Sequence, residues 1–287
     1  MLPKKVVIPA AGLGIRLLTA TKEMPKEMLP VFAKSIDGQI LVKPTLQVIF
    51  EQLHDVGFRE FCFVVGRGKR AIEDHFSKDS GFVSYLRHRG KVDFAEELDR
   101  FYRKLEDSSI VFLNQPEPRG FGDAVYRAKL FVHNEPFLVR AGDDLVFSKH
   151  GSNIERRLVT LFEKMSPDAV LAVQKAANPR NYGVISGERV RPAIYRVTNI
   201  VEKPKTPPSN MAIVATYVFT PRILEALEQT KHDSEGELQL TDAIRKLVIG
   251  GREVYAVELR PDERRIDVGT SRSYWDALRY TFEMCLR

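Results

Sequence analysis

Val6-Val7-Ile8-Pro9-Ala10-Ala11-Gly12-Leu13-Gly14-Ile15-Arg16 passes from an apolar run through a glycine-rich turn to a cation. The run Val6-Val7-Ile8 predicts a buried strand. Glycines directly after a strand let the backbone approach a ligand, with peptide N–H groups pointing at phosphate oxygens. Two known phosphate loops are excluded. No Gly-Lys-Ser/Thr ending follows, as a P-loop requires, and no third glycine stands where the dinucleotide fingerprint needs one. Cations follow instead: Arg16, Lys22, and Lys26 within Pro25-Lys26-Glu27-Met28-Leu29-Pro30. A glycine turn with fixed cations downstream suits a triphosphate.

Outward from that stretch, apolar runs alternate with helical spacings. Strands are expected at Glu60–Val65, Ile110–Leu113, Phe137–Ala141 and Ala169–Val173. Between them, helices are expected over Pro44–Val56, with Leu46, Ile49, Phe50 and Leu53 on one face, over Ala124–Val132, and over Ser152–Met165. Strand and helix in alternation predict an α/β fold of Rossmann-like type. Its sheet is mixed, mainly parallel and covered by helices on both faces, and its ligands sit beyond the carboxyl ends of the strands. Phe94, Leu98, Phe101 and Leu105 repeat at helical steps, so an amphipathic helix within 81–107 interrupts the sheet as an insertion. After about residue 176 come shorter strands at Tyr182–Ile185, Val197–Val201 and Ile213–Phe219, a smaller mixed β region. Helices over Leu238–Val248 and Ser271–Leu286 follow. With no linker between the halves, the chain reads as one domain over 1–287.

The 287 residues are 44% hydrophobic and 29% charged, which excludes disordered and fibrous classes. A net charge of +6 suits an anionic partner. The short clusters Arg67-Gly68-Lys69-Arg70 and Arg87-His88-Arg89-Gly90-Lys91 read as solvated surface, and no nucleic-acid-binding signature accompanies them. No apolar run reaches the ~18 residues of a membrane span. Two cysteines, Cys62 and Cys285, cannot build a disulfide framework, and Cys62 reads as a buried thiol. A soluble cytoplasmic protein without nucleic-acid or membrane partners is expected. None of the histidines 54, 75, 88, 133, 150 and 232 falls at metal-ligand spacing.

Gly12-Leu13-Gly14-Ile15-Arg16 with Pro25-Lys26-Glu27-Met28-Leu29-Pro30 resembles the start of the sugar-1-phosphate nucleotidylyltransferase family, nearest the branch that joins UTP to glucose 1-phosphate. The resemblance runs on in order. It takes in Gln115 with Gly120-Phe121-Gly122-Asp123-Ala124, then Gly142-Asp143-Asp144, Tyr182-Gly183-Val184, Glu202-Lys203-Pro204, Glu237 to Asp242, and Asp267-Val268-Gly269.

That resemblance implies transfer of a uridylyl group from UTP to α-D-glucose 1-phosphate, giving UDP-glucose and pyrophosphate. The nucleophile is a phosphate oxygen whose second pKa is about 6, so no general base is needed. The barrier is the approach of two anions in line with the leaving pyrophosphate, and positioning and charge neutralisation must lower it. The resemblance implies Mg²⁺ held by Asp143 and Asp267, with Asp144 either supporting the site or facing solvent. It implies that Arg16 and Lys26 steady the β- and γ-phosphates, and that Lys203 holds the sugar phosphate. Glu202, with the Gly183 backbone nearby, would take the glucose hydroxyls. Gln115 would meet uracil in a pocket completed by Ala11, Gly12, Gly14 and Gly120. Residues 1–176 would then form a nucleotide-binding half, and 177–287 a sugar-binding and C-terminal part. The family assembles as dimers or tetramers, and the 94–105 helix and the C-terminal helix with Tyr274, Trp275, Leu278 and Phe282 are candidate contacts.

The chain departs from the family pattern at three positions. Ile15 replaces a threonine whose hydroxyl would meet the triphosphate. Asp123 replaces a histidine and Phe121 a leucine, which leaves the nucleotide pocket open in detail. Three alternatives stay open: a catalytically silent relative, dTTP as the nucleotide, and N-acetylglucosamine 1-phosphate as the sugar. A nicotinamide-dependent oxidoreductase lacks its third glycine.

Overall fold

The computed structural model of the chain describes residues 2–35, 37–148, 151 and 153–286. Its strands, in chain order, are β1 (Lys5–Pro9), β2 (Pro30–Lys34), β3 (Ile40–Pro44), β4 (Glu60–Gly66), β5 (Ser109–Gln115), β6 (Phe137–Arg140), β7 (Asp144–Ser148), β8 (Ala169–Lys175), β9 (Gly183–Arg191), β10 (Ile194–Glu202), β11 (Met211–Phe219), β12 (Val254–Glu258) and β13 (Glu263–Asp267). Nine of them form one sheet in the order β5-β4-β1-β6-β11-β8-β12-β10-β9. β5, β4, β1, β6, β8, β12 and β9 share a direction, and β11 and β10 oppose it. The sheet is thus mixed and mainly parallel, and it runs through both halves of the chain without a break.

β1 shows why its apolar run decides the fold. Val6 and Ile8 pack into one buried cluster, while Val7 packs into another on the opposite face. β4 repeats this, with Phe61, Phe63 and Val65 on the first face and Cys62 and Val64 on the second. Side chains alternate across a strand, so a strand covered on both sides must be apolar throughout. The helix Thr45–Val56 covers the first face with Leu46, Ile49, Phe50 and Leu53, the residues its spacing predicts. The helix Leu240–Ile249 covers the second with Ala243, Ile244 and Leu247.

Several expectations change. The helix expected over Ala124–Val132 is two pieces, Phe121–Arg127 and Lys129–Val132, because the Ala128 N–H closes a tighter turn on the Val125 carbonyl at 3.1 Å. The start expected at Ser152 lies outside the described residues; the helix runs Ile154–Met165. The insertion between β4 and β5 ends in two helices, Ser80–His88 and Val92–Glu106. In the second, Phe101 and Leu105 are buried as the spacing predicts, but Phe94 is 58% exposed. The hairpin β2–β3, the strand β12 and the pair β7–β13 are additions to the sequence reading. Cys62 and Cys285 are both free and buried. No described helix is long and apolar enough to cross a membrane.

Candidate active site

β1, β4, β5 and β6 end together, so the loops that follow them share one edge of the sheet. Gly14 sits there at φ +67, a left-handed conformation that a β-carbon would strain, and its carbonyl accepts from the Thr21 hydroxyl at 2.9 Å. The resulting cavity measures 340 Å³. Ala11, Gly12, Gly14, Gln115 and Gly120, the residues assigned to the nucleotide, all line it, together with Lys26 and Asp143. Ile15 lines it too, its side chain 67% exposed where a threonine hydroxyl was expected. Glu237 is a lining residue that the sequence reading assigned no role.

Arg16 is not in that lining. A β-carbon placed on Gly269 would lie 3.0 Å from Arg16 Nη2 and 3.2 Å from Asp267 Oδ1, so the guanidinium stands on the Asp267 side of the site.

Backbone pairing brings the two expected metal ligands together. Asp143 follows β6. β13 pairs antiparallel with β7, which sets Asp267 opposite Asp144, and the Val268 N–H donates to the Asp143 carbonyl at 3.1 Å. Lys26 Nζ lies 2.5 Å from Asp143 Oδ2. Burial pushes the Asp143 carboxyl up, but Lys26 beside it outweighs burial and holds it below its ordinary value. Burial likewise pulls Lys26 down, and Asp143 and Glu27 outweigh it, so Lys26 stays above its ordinary value. Both groups remain charged, a cation already seated on the acid. Asp267 Oδ1 accepts from Ser273 Oγ at 2.9 Å and from the Gly269 N–H at 3.1 Å. Among the described residues, the ion-pair partner of Asp267 Oδ2 is Arg265, 3.8 Å away.

Three features correct or extend the sequence reading. Asp144 does not face solvent: it is 2% exposed, and its Oδ2 accepts from Arg265 Nε at 2.7 Å. It is the first residue of β7, paired across the ladder with Asp267. Lys69 is likewise not surface. It donates to Glu27 Oε2 at 2.7 Å, with side-chain exposures of 7% and 2%. This buried pair ties the Lys26 loop to the loop after β4. Arg265 also went unread, because β13 (Glu-Arg-Arg-Ile-Asp) has one apolar residue and so no periodicity.

The sugar-assigned residues gather at the start of β9 and the end of β10, beside the helix Leu240–Ile249. A β-carbon on Gly183 would come 2.9 Å from Ile213 Cδ1 and 3.1 Å from Glu202 Oε2, so only glycine leaves Glu202 its place. Glu202 Oε2 accepts from Thr241 Oγ1 at 2.7 Å, which gives Thr241 a supporting place in this group. Lys203 is left-handed at φ +38; its N–H donates to the Tyr182 carbonyl at 3.1 Å, and its ammonium lies 3.7 Å from Glu202. Arg265 stacks over the Tyr182 ring at 5.0 Å, linking this group to Asp144 and Asp267. Lys203 itself is 60% exposed and contacts neither aspartate.

The model of the nucleotidyl transferase family matches residues 5–283. A UTP–glucose-1-phosphate uridylyltransferase of Staphylococcus epidermidis is 40% identical over 270 residues, 93% of this chain and 88% of that one. The chain belongs to the nucleotidyl transferase family. A UTP–glucose-1-phosphate uridylyltransferase of Pseudomonas aeruginosa is 35% identical, covering 98% and 96% of the two chains. The structure of a UDP-glucose pyrophosphorylase complexed with UDP-glucose superposes with a TM-score of 0.84 at 30% identity, covering 98% of this chain and 99% of that one. A UTP-bound enzyme of the same name from Acinetobacter baumannii gives 0.85 at 28%, covering 97% and 93%.

Nucleotidyl transferases generally use a divalent metal. The donor set of this family member fits a hard cation: two carboxylates from distant stretches of chain, Asp143 in the turn between β6 and β7 and Asp267 at the end of β13, the first already holding an ammonium. Among the described residues no cluster of three or more Asp, Glu, His or Cys offers a richer site; His150 lies outside them.

Proposed function

We propose that this chain transfers the uridylyl group of UTP to α-D-glucose 1-phosphate, giving UDP-glucose and pyrophosphate. The observation that carries this reading is the seating of Lys26 on Asp143 at the mouth of a glycine-lined cavity, with Asp267 alongside. The names of the relatives supply the substrates. UTP would enter the cavity with its base against Gln115 and Gly120 and its phosphates over the 11–14 loop. Lys26 and Arg16 would neutralise the β- and γ-phosphates that leave as pyrophosphate. Lys203 would grip the sugar phosphate as a point charge, and Glu202, fixed by Thr241, would accept from sugar hydroxyls. Mg²⁺ on Asp143 and Asp267 would supply charge neutralisation between the two phosphates.

On this reading 1–176 holds the nucleotide and 177–287 the sugar, within one working unit. We place the protein in the cytoplasm, whose reducing conditions suit two unpaired buried thiols. We also propose a homodimer or homotetramer. Val42, Phe82 and Phe94, 62%, 49% and 58% exposed, line an apolar cavity of 540 Å³ between β3 and the helical insertion, a face that a second copy would cover.

The test is pyrophosphate release with Mg²⁺ over a grid of nucleoside triphosphates and sugar 1-phosphates. The largest kcat/KM is expected for UTP with glucose 1-phosphate. Release with no pair would instead mark a silent relative, although Arg16, Lys26, Asp143, Lys203 and Asp267 are all present.

A further inference from the structure

Asp123 is the departure from the family pattern that reaches the cavity's main polar group. It stands in the first turn of the helix Phe121–Arg127. Its Oδ2 accepts from Gln115 Nε2 at 2.7 Å and from Arg127 Nε at 2.8 Å. Gln115 Nε2 also donates to the Gly120 carbonyl at 3.1 Å. A carboxylate and a peptide carbonyl only accept, so both hydrogens of the amide are committed. Turning the amide over would set Oε1 against two acceptors, and the orientation is therefore fixed by chemistry. Gln115 is 5% exposed and lines the cavity. No donor among the described residues bonds its Oε1, and Oε1 is not among the buried unpartnered atoms. That oxygen is what the side chain presents. A free glutamine offers a donor and an acceptor; this one offers an acceptor alone.

We propose that Asp123 is a positioning residue for base selection: it locks Gln115 so that a single carbonyl oxygen meets the base, favouring nucleotides whose ring carries an N3–H over cytidine nucleotides. Uracil donates N3–H to such an oxygen. Cytosine carries a lone pair at N3, so the two acceptors would face each other unpaired. Sites that leave a buried polar group unmatched discriminate more strongly than sites that differ by a methyl group. Thymine shares the N3–H and is not excluded. Arg127 holds the same carboxylate oxygen, which anchors Asp123 Oδ2 beside the amide.

The proposal rests on the reading in which Gln115 faces the base, and the experiment separates the two. Steady-state kcat and KM are measured for UTP, CTP and dTTP at saturating glucose 1-phosphate in the wild type, Asp123→Ala, Asp123→Leu and Asp123→Asn, with melting curves for each. In the Ala and Leu variants the amide keeps the Gly120 carbonyl but loses the shorter of its two anchors, and the UTP-over-CTP ratio of kcat/KM falls by about tenfold or more, mainly through KM. Asp123→Asn still accepts from Gln115 Nε2 and keeps the ratio within about threefold. The UTP-over-dTTP ratio stays level in all. An unchanged UTP-over-CTP ratio in Asp123→Ala or Asp123→Leu, or an equal loss in Asp123→Asn, overturns the proposal while leaving UTP turnover standing. A wild type that turns over no UTP overturns the functional reading beneath it, and the proposal with it.

Discussion

At the carboxyl edge of the sheet, charged side chains lie buried and paired, Lys26 on Asp143 and Lys69 on Glu27. Over the helical insertion, apolar side chains lie in the open, Val42 and Phe94 each more than half exposed. The insertion borders the larger cavity, 540 Å³ against 340 Å³. Volume therefore does not locate the chemistry. A reaction between two anions needs fixed charge beside a backbone that phosphate can approach; the smaller cavity joins Lys26 and Asp143 to the glycine loop, whereas the larger one's Lys43 is held by Glu51 and Glu97 away from any such loop. Burying charge is costly unless it is paired, so the edge holds two ion pairs where a core would hold leucines. The insertion contributes one such pair, Glu97 on Lys43, beside apolar residues that lie open to contact.

That contrast can be broken experimentally, beginning with the acid pair. Asp143→Asn and Asp267→Asn keep shape and remove charge; each should lower kcat by at least ~100-fold with the far-ultraviolet circular dichroism unchanged. Near-normal turnover in either would mean that charge at this edge is not catalytic.

Stability of the edge comes next. Lys69→Met strands Glu27, 1% exposed, and should cost about 3–5 kcal/mol in urea unfolding. Adding Glu27→Gln to it should return part of that loss. A single variant as stable as the wild type would show that the pair is dispensable to the fold.

The smallest effect belongs to the insertion side. Burial pulls His75 down to about 4, and its ring stacks on Phe101 with centroids 5.1 Å apart. Its folded value lies below the unfolded one, so the unfolded chain takes up the proton first as pH falls. Stability should therefore decline between about pH 6.5 and pH 4 and then level, by at most ~3 kcal/mol. His75→Phe should flatten the melting temperature across that window; an identical slope would assign acid sensitivity elsewhere.

The parallel core was legible because β1 and β4 are apolar on both faces and the helix Thr45–Val56 keeps a clean 3.6 spacing. Of the residues lining the nucleotide cavity, the 11–14 turn was legible from its place after β1, while Gln115 and Gly120 came from the family resemblance. β13 was not legible, since its pattern Glu-Arg-Arg-Ile-Asp carries charges whose close ion-pair partners, Arg157 and Asp144, lie far off in the chain. β12 was missed although Val254-Tyr255-Ala256-Val257 has a strand's composition. Lys69 looked like surface because its partner lies 42 positions away in the chain, and no local spacing announces a long-range pair. A glutamine amide can offer both a donor and an acceptor, and the position of Asp123 in the fold shows that the donor face of Gln115 is spent.

β13 comes after every strand of the large sheet, the last of which ends at Glu258. A ribosome would thus release the entire nine-stranded scaffold and its glycine loop before Asp267 could dock beside Asp143. On the proposed reading, a chain cut near residue 260 would keep the nine-stranded scaffold and the glycine loop but hold half of the acid pair, and β13 would be what arms the strands made before it.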